Sequence, residues 1–209
     1  MRSIVTFVEG EGDESAVPIL LTRILHKLGR FDWLANRTIR VGSLDKFTNR
    51  IDDYLRYVAQ DPKCAAALIL LDLDDGCPRQ AAHDLADKLR TYHLSFPVAI
   101  VFAHREYEAW FLASMWSIPL SAPGWERGIR YPGEPESRRD AKGWISGQMG
   151  PGRRYKETIH QAQFTRVMSL RRAYARSRSF RRLCSAVSEL LQLADVGERG
   201  RVTPLAERR

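Results

Sequence analysis

No apolar run in this chain approaches the roughly 20 residues that a membrane-spanning helix needs, so a membrane protein is not expected. Cysteine is scarce: Cys64, Cys77 and Cys184 are odd in number and widely spaced. That spacing excludes a disulfide framework and a cysteine metal motif, and it points to a reducing, cytoplasmic setting. There is no G-x-x-x-x-G-K-[ST] loop, which excludes ATP hydrolysis of the P-loop kind. No repeat of solenoid period is visible. The opening "MRSIVTFVEG" has no signal-peptide layout and reads as a first strand.

What is present is a core and an uneven charge. Hydrophobic residues make up 44% of the 209, enough for a buried interior, and the net charge is +8. Residues 1–124 hold 14 Lys+Arg against 16 Asp+Glu, whereas residues 125–209 hold 19 against 9. The acids therefore gather in the first part and the basic excess in the second. A basic surface attracts polyanions, nucleic acid above all. An arginine-rich solvated helical surface fits the same numbers, and charge alone does not decide between them.

Hydrophobic patterning predicts strands at "RSIVTFVEG", "RTIRVG", "AAALILLDLDD" and "FPVAIVFAH". Amphipathic helices are predicted at "DESAVPILLTRILHKLG", "SLDKFTNRIDDYLRYVAQD" and "PRQAAHDLADKLRTYHL", and a further one begins near His104. Pro18 suggests a first-helix start nearer Ala16, and Ser43 is the expected cap of the second helix. The alternation implies an α/β fold: a mostly parallel four-stranded sheet with helices on both faces. Residues 1–116 form this unit, and residues 117–209 form a basic, mainly helical C-terminal segment packed on it. Residues 117–135, rich in Pro and Gly, read as an irregular crossing. One or two helices follow over 162–195, and the polar last stretch from Val196 is expected to fray.

In a sheet of this kind the ligand site lies beyond the C-terminal ends of the strands. Glu9 ends the first strand there, and Asp72, Asp74 and Asp75 end the third. Alternation places Asp72 and Asp74 on one side and Leu73 on the other. Clustered carboxylates are stable together only if some are protonated or a cation joins them. Hard oxygen donors favour Mg²⁺ or Mn²⁺, one or two ions. Glu9, Asp13, Asp72 and Asp74 are the candidate metal ligands, Asp13 reaching the site from the helix start or the loop before it. Asp75 is a supporting residue, as are His104, Glu106 and Glu108 after the fourth strand; one of the two glutamates, Glu106 by preference, is expected at the site and the other in an ion pair with Arg105 or a C-terminal arginine. Trp110 and Phe111 are expected in the core. A lone D-x-D is weak, and helix caps or exposed acids explain it as well; two acidic strand ends two units apart say more.

"VEGEGDE" together with "LLDLDD" resembles a Toprim domain, the metal-binding module of topoisomerases, bacterial primases, maturase-type RNases and OLD-family nucleases. The resemblance spans about residues 1–115, with Glu9 and the Asp72/Asp74 pair at the pattern's acidic positions and Asp13 where OLD-type nucleases place a second acid. "AHREYEAWFLAS" and "PESRRDAKGWIS" are similar to an uncharacterised Toprim-like family associated with ABC/OLD-type ATPases. Neither a tyrosine-bearing topoisomerase domain nor a primase zinc module is evident.

The resemblance implies a metal-dependent endonuclease, with DNA favoured over RNA. Glu9, Asp72, Asp74 and Lys142 would be catalytic, Lys142 because it lies in the family-like "DAKGW" segment and a cation beside the metals steadies a phosphoryl group. Arg153, Arg154 and Lys156, after a Gly-Pro-Gly turn, and Arg171 and Arg172 are candidate nucleic-acid contacts; Arg176, Arg178, Arg181 and Arg182 would extend the surface or pair with acids. Tyr155, His160 and Gln161 are candidate supports of the site with no individual role assigned. An ABC/OLD-type ATPase partner in a phage-defence setting is the implied assembly, and a homo-oligomer is left open. The competing expectation is a non-catalytic or partner-activated nucleic-acid-binding subunit of an ATPase complex.

Overall fold

The computed structural model describes residues 1–118 and 129–205. Part of the crossing expected over 117–135, and the last four residues, lie outside them. The strands β1 (Arg2–Val8), β2 (Trp33–Arg40), β3 (Cys64–Leu73), β4 (Val98–His104) and β5 (Val202–Thr203) form one sheet in the order β2-β1-β3-β4-β5. All pairings are parallel. The sheet therefore has five strands, not four. The fifth comes from the tail expected to fray, where Val98 N donates to Arg201 O at 2.8 Å and Val202 is buried. Two residues are too few for alternation to reveal.

The helices differ from the sequence reading at their ends. Helix α1 (Glu11–Lys27) starts at Glu11 rather than near Ala16, with Pro18 inside it. Gly10 precedes it, and the Gly10 amide donates to Asp13 Oδ2 at 2.9 Å. The single second helix is two, α2 (Leu44–Asn49) and α3 (Ile51–Ala59), broken at Arg50, whose φ is −125° and ψ 21°. Ser43 caps α2 as expected, accepting from Lys46 N at 3.4 Å. After α4 (Pro78–Leu89), helix α5 (Glu108–Ser114) begins four residues later than expected. All of α5 is buried, Trp110 and Phe111 included, which explains why Glu108 is carried inside.

The second part of the chain continues through α6 (Ala141–Gln148), a π-helical turn (Glu157–Gln161), α7 (Ala162–Val167), α8 (Leu170–Arg176) and α9 (Arg178–Asp195). The stretch expected to hold one or two helices holds three. Ser169 and Ser177 make the breaks by capping α8 and α9, accepting from Arg172 N at 3.3 Å and Phe180 N at 2.9 Å.

Two apolar layers cover the sheet. Ile4, Val8, Leu68, Leu70, Val101 and Ala103 face α1, α5 and α9, whose Leu20, Trp110 and Leu183 join the same cluster. Phe7, Ile69, Leu71, Ile100 and Phe102 face α3 and α4 through Leu55 and Leu85. The C-terminal helices thus share one layer with α1 and α5. Among the described residues no helix is long and apolar enough to cross a membrane.

Candidate acidic site at the strand-order reversal

The chain runs outward from β1 to β2, then returns to the other side of β1 with β3. Ligands of open parallel sheets bind at such a reversal, beyond the strand ends. Glu9 leaves β1 and Asp72 ends β3 at this place, and the Glu9 carboxylate accepts a hydrogen bond from the Asp72 amide. Asp13, in the first turn of α1, accepts from the Gly10 amide and from Gln161 Nε2 at 2.6 Å. Gln161 reaches it because Gly12 has no side chain: a Cβ there would lie 2.0 Å from Gln161 Oε1 and 2.9 Å from Glu157 Cβ.

Lys142, in the first turn of α6, lies among three more acids. Its Nζ is 3.6 Å from Glu106 Oε2 and 3.9 Å from Glu108 Oε2, and it pairs with Glu157 Oε1. Glu106 also accepts from the Ala141 amide, and Glu108 from the Tyr155 hydroxyl at 2.8 Å. Ser146 fixes the local path, donating to Lys142 O at 2.8 Å and accepting from Tyr155 N at 3.0 Å.

The charges are strongly coupled. Burial raises the Glu9 carboxyl above its ordinary range, the Asp72 amide counters it, and Asp13 and Asp74 add repulsion. Burial likewise raises Asp13, opposed by its two hydrogen bonds and reinforced by Glu157. Asp72 is pushed well up, by burial and then by Asp13, Glu108 and Glu9. Burial lifts Glu108 to about 8 although Lys142 pulls it down. Burial alone would lower Lys142, but Glu108, Glu157 and Glu106 more than reverse this and hold it charged. The resting site therefore accommodates its excess of acids by keeping some protonated.

Glu9, Asp13, Asp72, Asp74, Glu106, Glu108 and Lys142 thus belong to one electrostatic neighbourhood. Glu106 and Glu108 do not divide between the site and a distant ion pair, since both face Lys142; the later start of α5 leaves Glu106 on the preceding turn. Asp75 faces outward and pairs with Arg105 and Arg139. His104 does not join the site. Asp72 aligns with Ala103 and Leu73 with His104, so alternation turns His104 to the opposite layer, where it lines a cavity with Cys77 and Pro78. Glu157 is the acid that sequence reasoning missed, and Tyr155 and Gln161 acquire roles as hydrogen-bond donors to Glu108 and Asp13.

Arg153, Arg154 and Lys156 are exposed on the segment that carries Tyr155 into the site. Arg171 is exposed, and Arg172 lies over the Trp116 ring, 5.9 Å from its centroid. Other arginines hold the fold together: Arg176 donates to Gly133 O at 2.8 Å, Arg181 to Tyr174 O at 2.8 Å, and Arg182 to Glu189 Oε1 at 2.7 Å.

The donor chemistry at the reversal, hard carboxylate oxygens on two adjacent strand ends, suits Mg²⁺ or Mn²⁺. Among the described residues, however, no three His, Cys, Asp or Glu side chains already stand in a group that could hold an ion. The fit is one of donor type and charge, with side-chain movement needed to close the ligand set.

Fold and site together define an α/β protein with a carboxylate–lysine cluster at the reversal of a five-stranded parallel sheet. The chain belongs to the family described as a domain of unknown function, DUF4276, which matches residues 8–188. No curated protein and no solved structure matches it.

Proposed function

We propose that the chain is a divalent-cation-dependent nuclease of Toprim type that hydrolyses phosphodiester bonds, with DNA the preferred substrate class. The observation that supports this most is the meeting of Glu9, Asp13 and Asp72 with Lys142 at one sheet edge, from positions up to 133 residues apart in the chain. Glu9, Asp13, Asp72 and Asp74 would hold Mg²⁺ or Mn²⁺, one or two ions. A bound cation there neutralises the carboxylates and polarises a phosphate oxygen. Lys142 supplies a fixed positive charge for the nonbridging oxygens, where charge develops during phosphoryl transfer. Glu157, paired with Lys142, and Glu108, 3.9 Å from its Nζ, set the position of Lys142. Arg153, Arg154 and Lys156 grip flanking phosphates, which makes binding salt-dependent.

The test is cleavage of plasmid DNA and of RNA by the purified chain with Mn²⁺ or Mg²⁺. Activity abolished by Glu9→Gln and Asp74→Asn supports the assignment; cleavage that survives both removes it. A second reading is a subunit that becomes active only on an ABC/OLD-type ATPase partner, in a cytoplasmic defence assembly. Cleavage seen only after the partner ATPase is added distinguishes it.

A further inference from the structure

We propose that Arg105 and Arg139, bridged by Asp75, form an anion subsite that receives a phosphate group of the substrate beside the acidic cluster. As a substrate subsite it rests on the nuclease reading above; as an anion site it stands on its own geometry. A small cavity of about 270 Å³ is lined by Asp74, Asp75, Arg105, Glu106, Arg139 and Asp140. Its volume suits a group of phosphate size rather than a base or a whole nucleotide, since pockets for drug-sized ligands start near 300 Å³.

Two guanidiniums converge there on one carboxylate. Arg105 Nη1 lies 2.9 Å from Asp75 Oδ1, and Arg139 engages both Asp75 oxygens, Nη1 lying 3.3 Å from Oδ2. A fork of this kind is also how guanidinium holds phosphate. The trio of Asp75, Arg105 and Arg139 carries one net positive charge, although the cavity lining as a whole sets four carboxylates against these two guanidiniums. The side chains of Asp75 and Arg139 are 67% and 68% exposed, so the bridge is open to solvent and weakly held. Asp75 thus occupies the place an incoming phosphate would take.

Arg105 is held ready for this. Its backbone is left-handed, φ 74°, an unfavourable conformation for a residue with a side chain. The turn is fixed by its amide, which donates to Leu73 O at 2.9 Å, and by its guanidinium, which donates to Asp74 O. Its Nε is buried and, among the described residues, has no hydrogen-bond partner. Asp140, the other non-glycine residue with positive φ among the described residues, at 59°, also lines the cavity and places Arg139 just before α6. The remaining acids do not oppose an anion equally. Asp140 accepts from the Gly143 amide at 2.8 Å, and Glu106 is occupied by Lys142 and the Ala141 amide. Asp74 is the acid shared with the proposed cation site, which places the subsite next to the attacked phosphate.

The experiment compares the wild-type full chain with Asp75→Ala, Arg139→Gln and Arg105→Gln. Inorganic phosphate is titrated at constant ionic strength and thermal stability is read. Removing Asp75 frees both guanidiniums, so Asp75→Ala should bind phosphate several-fold tighter than wild type. Arg139→Gln and Arg105→Gln should bind it about tenfold more weakly, the effect of losing roughly one charged hydrogen bond. On a short labelled DNA duplex, Arg139→Gln should lower the log–log salt slope by about 0.9. Weaker or unchanged phosphate binding by Asp75→Ala overturns the subsite, whatever the chain cleaves. If the phosphate pattern holds but wild type cuts no nucleic acid with Mn²⁺, with or without the partner ATPase, the nuclease reading fails and the anion site stands.

Discussion

The Tyr155 hydroxyl donates a 2.8 Å hydrogen bond to Glu108, a carboxyl buried at the start of α5 and 47 residues away in sequence. This contact ties the basic second part of the chain to the acidic first part. Tyr155→Phe leaves a buried acceptor without its donor and should cost about 1–3 kcal/mol, measured by urea unfolding. Because the bond lowers the Glu108 pKa, the variant should also titrate Glu108 at higher pH. Unchanged stability and titration would show that the contact does not organise the site.

Stability should fall as pH rises from 5 to 8.5. Glu108 titrates near 8 when folded and near 4.5 when unfolded, so the folded state binds more protons through that window. Its contribution is fully present below 4.5 and is lost as pH passes 8. Glu9, Asp13 and Asp72 are raised too and act in the same direction. Glu108→Gln should flatten the profile, read as melting temperature against pH. A wild-type curve that rises across this range contradicts the electrostatic description.

Asp72→Asn should be at least as stable as wild type at pH 8, since the amide never takes on the buried charge that burial, Asp13, Glu108 and Glu9 disfavour. The same substitution should abolish cleavage. Lys142→Ala should do the reverse to stability, leaving Glu106, Glu108 and Glu157 without their cation, and should slow cleavage by about 10²–10³-fold. Calorimetry and single-turnover assays of the two variants check both halves.

Gly12→Ala should displace the π-helical turn, because the new Cβ would meet Glu157 Cβ as well as the more yielding Gln161 side chain. An overpacking cost of about 1–3 kcal/mol is expected. Pairing it with Gln161→Ala should recover only part of the loss, since Glu157 Cβ remains in the way. Complete recovery in the double variant would place all of the conflict at Gln161.

Much of this arrangement was legible in the sequence. The apolar runs ending in Glu9 and in Asp72–Asp75 marked two strand ends, and strand alternation put Asp72 and Asp74 on one side. Register was not legible. His104 was expected at the site because it follows the fourth strand closely, but its alignment with Leu73 rather than Asp72 turns it to the other layer. Glu157 escaped notice and Gln161 could be given no role because their partners, Lys142 and Asp13, lie across a turn and 148 residues away, and no periodicity encodes such contacts. The break at Arg50 was hidden by apolar spacing that continues through it, and β5 by its two-residue length.

The account turns on whether these carboxylates share a divalent cation. Crystals soaked in Mn²⁺ at pH 8, where the raised carboxyls are more readily ionised, test this directly through anomalous scattering. The predicted result is a strong peak bounded by Glu9, Asp72 and Asp74, absent from Asp72→Asn crystals treated alike. No peak at saturating Mn²⁺, or one bound elsewhere with this cluster left as it is, would contradict it.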